Sequence, residues 1–117
     1  MRHSKHKYKL GVQPEHRKSM MKNLAISLID HKKIQTTHTR SKALKMFIEK
    51  LVTISKVDTV ANRRLAYKKL NNKTAVTKLF TEVGPQFKER SGGYTRIIKL
   101  ADLRQGDAAK MSYIAFV

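Results

Sequence analysis

The chain has 117 residues, the size of one compact unit, and 40% of them are apolar, enough for one modest core. Lysine and arginine number 26 against 8 acids, and the resulting formal charge of +18 repels itself on compaction, so a polyanion is the expected partner, nucleic acid before an anionic membrane. The absence of cysteine excludes disulfides and thiolate metal sites, no run approaches the roughly 18 apolar residues of a spanning helix, and the basic start leads into no apolar stretch of a secretory signal.

Residues 1–13 carry Arg2, His3, Lys5, His6, Lys7, Tyr8 and Lys9 with no acid and little to bury, which predicts an extended basic arm that orders on an anionic partner. A globular domain is expected from residue 14 to 117. Pro14 suits the first turn of a helix, where its missing N–H would go unpaired anyway. Met21, Leu24, Ala25 and Leu28 follow at helical spacing, with Arg17, Lys18 and Lys22 off that stripe, and the helix fades around Asp30 to Lys32. Ile34 to Thr39 is short and β-branched, which favours a strand.

Thr39 is placed to cap a second helix whose stripe is Leu44, Phe47, Ile48, Leu51 and Ile54, with Lys42, Lys45, Glu49 and Lys50 largely off it. Asp58 is the expected cap of a third helix, with Ala61, Leu65 and Leu70 inward and Arg63, Arg64, Lys68 and Lys69 outward. Asn71 and Asn72 break it. A short fourth helix holds Val76, Leu79, Phe80 and Val83 and is expected to stop at Gly84-Pro85. After the turn signal Ser91-Gly92-Gly93 the period becomes two: Thr95, Ile97 and Lys99 take one side, and Tyr94, Arg96, Ile98 and Leu100 the other. A loop from Asp102 to Ala109 leads to a last strand, Met111 to Phe116. These elements predict an α+β fold, a small three-stranded mixed sheet packed against about four helices.

Catalytic groups do not converge in this sequence. The eight acids are scattered, and no close carboxylate pair suggests acid–base work. His3 and His6 have no third ligand nearby, and His16, His31 and His38 are isolated, so no metal, cofactor or small-molecule substrate is expected. Ser91-Gly92-Gly93 lacks the Gly-Lys-Ser/Thr ending of a nucleotide loop and reads as a turn, bracketed by Arg90 and Arg96. Basic patches are the chemistry that remains. Lysine and arginine neutralise phosphates and release condensed counterions. Tyr8 and Tyr94 are candidates to stack on unpaired bases, with a core role equally open to Tyr94.

Several blocks then resemble a known family. Met1-Arg2-His3, Lys9-Leu10-Gly11, His16-Arg17-Lys18, Asn23-Leu24, Ile34 to Thr37 with Arg40-Ser41-Lys42, and Glu49-Lys50-Leu51 occur in order. So do Gly92-Gly93-Tyr94-Thr95-Arg96-Ile97, Lys99-Leu100, Arg104 and Gly106-Asp107-Ala108-Ala109. Together they resemble the bacterial ribosomal protein L-seventeen family of the large subunit, almost end to end. Met46 and Lys110 stand where the family commonly has proline, and Ser4 and Val12 where it commonly has a basic residue.

The resemblance implies a structural, non-catalytic protein in the cytoplasm that contacts large-subunit rRNA and neighbouring ribosomal proteins near the nascent-chain exit side. It implies RNA contacts at Arg2, His3, Lys9, Arg17, Lys18, Arg40, Lys42, Arg96, Lys99 and Arg104. Lys5, Lys7, Tyr8, Lys22, Arg90 and Tyr94 join them from charge and aromatic placement. The competing readings are a DNA-architectural protein, for which no exposed apolar wedge is obvious, a small RNA-processing enzyme, and a membrane-surface protein, whose amphipathic helix this chain needs for its core.

Overall fold

A computed structural model describes residues 12–117, so the expected arm, apart from its last two residues, lies outside the described residues. Helix α1 spans Pro14–His31, with Pro14 in its first turn as its fixed φ favours. It buries Met21, Ala25, Leu28 and Ile29 and ends on Lys32 in the left-handed region, φ 66°, whose N–H returns to the Leu28 carbonyl. Lys32 Nζ also donates to the Ile29 carbonyl, 2.8 Å away, so one cation serves the helix end twice.

Strand β1, Lys33–Thr37, passes directly into helix α2, His38–Ser55. The cap is therefore Thr37 and not Thr39: its Oγ1 faces the Arg40 N–H at 3.4 Å. Thr37 is the last residue that pairs in the sheet, and its extended backbone makes it the natural boundary. α2 is unbroken through Met46 and buries Ser41, Leu44, Ile48, Leu51, Val52 and Ser55, with Phe47 and Ile54 partly covered.

Helix α3, Val60–Leu70, departs further from expectation. Thr59 caps it, accepting from the Asn62 N–H at 3.1 Å, while Asp58 turns to Arg63. Its inward residues are Ala66 and Leu70, and Leu65 is half exposed. With so few apolar residues in the helix, an error of one residue in the face was enough to misplace the stripe.

Helix α4, Lys73–Lys78, begins at Asn72, whose Oδ1 accepts from the Ala75 N–H at 2.9 Å. It does not stop at Gly84-Pro85. A π-helical turn, Leu79–Val83, carries it into a short α5, Gly84–Gln86, and the Gly84 N–H reaches the Leu79 carbonyl. Proline lacks an N–H and crowds the carbonyl four residues back, and the widened turn accommodates both facts. Val76, Leu79, Phe80 and Val83 are buried as expected.

Strands β2, Thr95–Leu103, and β3, Lys110–Phe116, form a hairpin, and β3 is the middle strand of the order β1-β3-β2. The α+β class with three strands and four principal helices stands, but both pairings are antiparallel, so the sheet is not mixed. β1 and β2 do share a direction. Because β3 lies between them, they never pair.

The helices cover one face of the sheet. Ile114 is fully buried, and Ile34, Ile97 and Phe116 pack against a core led by Leu28, Ile29, Leu44, Ile48, Leu51, Leu70 and Leu79. Among the described residues no element covers the outer face, as an antiparallel sheet permits.

Candidate nucleic-acid interface

The helix-facing side of the sheet changes character along its length. Thr95, Ile97, Ile114 and Phe116 are buried or partly covered, whereas Lys99 and Lys110, on the same side by alternation, are exposed. Thr36, Ser112 and Lys99 form one row across the three strands. Over that row sits His38, at the start of α2, with its Nδ1 2.6 Å from the fully buried Ser112 Oγ. Lys42 lies one turn further along the same face of α2.

Two residues named from the sequence, Lys42 and Lys99, thus meet two that were passed over, His38 and Lys110. The electrostatics of the group are one-signed. Burial first, then the ammonium groups of Lys42, Lys99 and Lys110, hold the His38 imidazole below its ordinary value. The signal that sequence reading missed was the parity of the last strand: starting it at Met111 left Lys110 outside the sheet, yet it pairs with Leu103.

The other expected contacts are distributed. Arg17, Lys18 and Lys22 lie on α1, with Lys18 exposed and the other two half-buried. Lys22 Nζ lies 2.6 Å from the side-chain amide of Asn71, whose oxygen accepts from it once the amide is turned to face its donor, and this ties α1 to the end of α3. Arg40, at the start of α2, shares a cleft with His16, Ser19, Asn23 and Ser27 of α1. Arg90 and Arg96 are exposed on either side of the Gly92-Gly93 turn. Gly93 has φ 63°, and its carbonyl accepts from Arg90 Nη1 at 3.4 Å.

Arg104 is exposed but engaged within the β2–β3 turn, where its guanidinium grips Asp107 through two nitrogens, Nε at 3.1 Å. That hydrogen bonding, with the Ala109 N–H beside it, holds the Asp107 carboxyl down at about 2. Tyr94 is the one expected stacking residue that the fold withdraws. It is 1% exposed, packs on Phe87 at 5.4 Å between ring centres, and its hydroxyl accepts from Thr53 and Lys56, each at 3.3 Å. A ring so enclosed has no face to offer a base. Arg2, His3, Lys5, Lys7, Tyr8 and Lys9 lie outside the described residues.

Among the described residues no group of three or more histidines or acids is arranged to hold a metal, and no helix is long and apolar enough to cross a membrane. Comparison with known proteins is direct. The profile of a family described as "Ribosomal protein L17" matches residues 20–117. A protein of Opitutus terrae named large ribosomal subunit protein bL17 is 49% identical, over the whole of this chain and 73% of its own length. A protein of the same name from Fusobacterium nucleatum subsp. nucleatum is 47% identical over the full length of both.

Proposed function

The chain belongs to the ribosomal protein L17 family, and from that membership we propose that it is a structural constituent of the large ribosomal subunit, in the cytoplasm, that binds and stabilises folded large-subunit rRNA without catalysis. The relatives carry the large subunit in their names, which supports the assignment to that particle. The observation that carries the RNA reading is the convergence of Lys42, Lys99 and Lys110 around His38 at the uncovered end of the sheet, where every charge acting on the imidazole is positive. Among the described residues no ion pair involves these three lysines, and a phosphate supplies the counter-charge.

In this reading Arg17, Lys18, Lys22 and Arg40 hold a second stretch of backbone along α1, and Arg90, Arg96 and Arg104 a third around the hairpin. Residues 1–13 form an arm that threads between RNA segments through Arg2, His3, Lys5, Lys7, Tyr8 and Lys9. Neighbouring ribosomal proteins on the nascent-chain exit side complete the surroundings. The positive surface lets crowded RNA segments approach one another, and the core keeps the cations at fixed spacing.

The test is binding to large-subunit rRNA fragments at increasing salt. For roughly 6–10 phosphate contacts, affinity should fall about 10³–10⁵-fold between ~50 and ~200 mM. Lys99→Ala and Lys110→Ala should each reduce the slope of log affinity against log salt by roughly one. A flat salt response, or a protein absent from large subunits in a gradient, would refute the proposal.

A further inference from the structure

An antiparallel sheet with one solvated face ordinarily turns polar residues outward. The open face here does not follow that rule. It presents Lys33 and Gln35 from β1, Arg96 and Ile98 from β2, and Met111, Tyr113 and Ala115 from β3. Register sets Gln35, Tyr113 and Ile98 in one row across the three strands, and Lys33, Ala115 and Arg96 in the next. Tyr113 is therefore at the centre of the face.

Ile98 is 47% exposed, and neither it, Met111 nor Tyr113 belongs to the core. None of these seven residues is acidic. The Lys33 ammonium lies 4.3 Å from the centre of the Tyr113 ring, over its face. A cation so placed is held by the ring's quadrupole and is replaceable by a flat partner that stacks on the same face.

We propose that this face is a platform for an unpaired RNA base, with Tyr113 as the ring on which the base stacks. The inference rests on the RNA-binding reading above and adds to it a nucleobase site on the opposite side of the sheet from the lysine cluster. Ile98 and Met111 supply the apolar surround. Ala115, about 7 Å along β3 and small, leaves the next row low between its two cations. On binding, the base takes the place of the Lys33 ammonium on the ring, and Lys33 and Arg96 hold the flanking phosphates. Charge decides the occupant. The two paired rows around Tyr113 hold two cations and no acid, Asp102 following only past the irregular stretch after Lys99. This fits a nucleotide, whereas a second copy of this chain would bring Lys33 and Arg96 against themselves.

Stacking is sequence-tolerant, because every base has a π-face, so the site accepts an unpaired nucleotide of any base. The chain contains no tryptophan, which makes Tyr113→Trp a single reporter at the site. With a short single-stranded RNA of mixed sequence, its emission should be quenched in step with binding followed by anisotropy of labelled RNA. Tyr113→Phe should bind as the parent does. Tyr113→Ala should bind about 5- to 100-fold more weakly with an unchanged salt slope, since it removes stacking and no phosphate contact.

Binding without quenching, or a Tyr113→Ala chain of undiminished affinity, overturns the platform. If Lys99→Ala and Lys110→Ala still flatten the salt dependence in that case, the RNA-binding reading survives alone. A parent chain that binds no RNA removes both. A dimer dispersed by Tyr113→Ala would assign the face to self-association and overturn the proposal as well.

Discussion

Glu49 shows how one side chain ties helix to sheet. Its Oε2 accepts from both the backbone N–H and the Oγ1 of Thr95, each at 2.9 Å, and Thr95 is 4% exposed. Glu49→Ala leaves that N–H buried without an acceptor and should destabilise the fold by about 1–3 kcal/mol, read as a lower urea midpoint, with Glu49→Gln losing less. His38 makes a prediction of opposite use. Its pKa in the folded chain lies below the ordinary 6.5 of the unfolded chain, by burial first and then by three lysines. The unfolded chain therefore binds the extra proton first, and the contribution to stability is present above that ordinary value and lost as pH falls through the lowered one. A phosphate among the same lysines reverses the field and favours the imidazolium. RNA affinity should accordingly rise as pH falls toward and below about 6.5, and His38→Asn should flatten that dependence in a binding titration.

At the level of elements, Gly84 links two helices by contact distance. Its backbone is ordinary helix, φ −54°, so freedom of φ is not the reason for glycine. A methyl group there would run into the Ser55 carbonyl oxygen at the end of α2 and come within 3.0 Å of the Ser55 hydroxyl. Gly84→Ala should cost about 1–3 kcal/mol through displacement of α4 and α5 from α2, measurable as a lower melting temperature. This position also marks the limit of sequence reading. Gly-Pro carries the chemistry of a helix stop, and only the packing against Ser55 reveals a helix that widens and continues. The same holds for α3, where apolar residues are too sparse to fix the inward face. Where apolar residues are dense, in α1 and α2, most of the buried set was legible, though Ile29 and Val52 were missed and Leu24, Phe47 and Ile54 are only partly covered; the alternation in β2 was legible too. The lysine cluster was legible only in part, because strand register brings Lys99 and Lys110 to one side of the β2–β3 hairpin and only the packing of α2 over the sheet adds Lys42 and His38. Tyr94 illustrates the converse: alternation grouped it with Arg96 and Ile98 while leaving a core role open, and past the left-handed backbone of Gly93, just before β2, its ring is buried in the core.

For the molecule as a whole, the net charge of +18 acts in two directions. Only four ion pairs occur among the described residues, all on the surface, so most cations repel one another through solvent. Added salt shortens that repulsion to a Debye length of about 10 Å at ~0.1 M. The melting temperature of the free chain should therefore rise with sodium chloride over the range in which RNA affinity falls, and scanning calorimetry across a salt series checks it. Most of the architecture followed from apolar periodicity, but strand order did not, since no local pattern states which strand is central. That order has a temporal meaning. The middle strand is the last of the three to leave a ribosome during synthesis, and β1 must wait about seventy residues for its mate. During that interval the helices have one another to pack against, while two strand edges stand bare and open to strangers. A newborn chain of this kind gains from meeting its polyanion late, when the sheet has closed and the lysines on β2 and β3 have come into line.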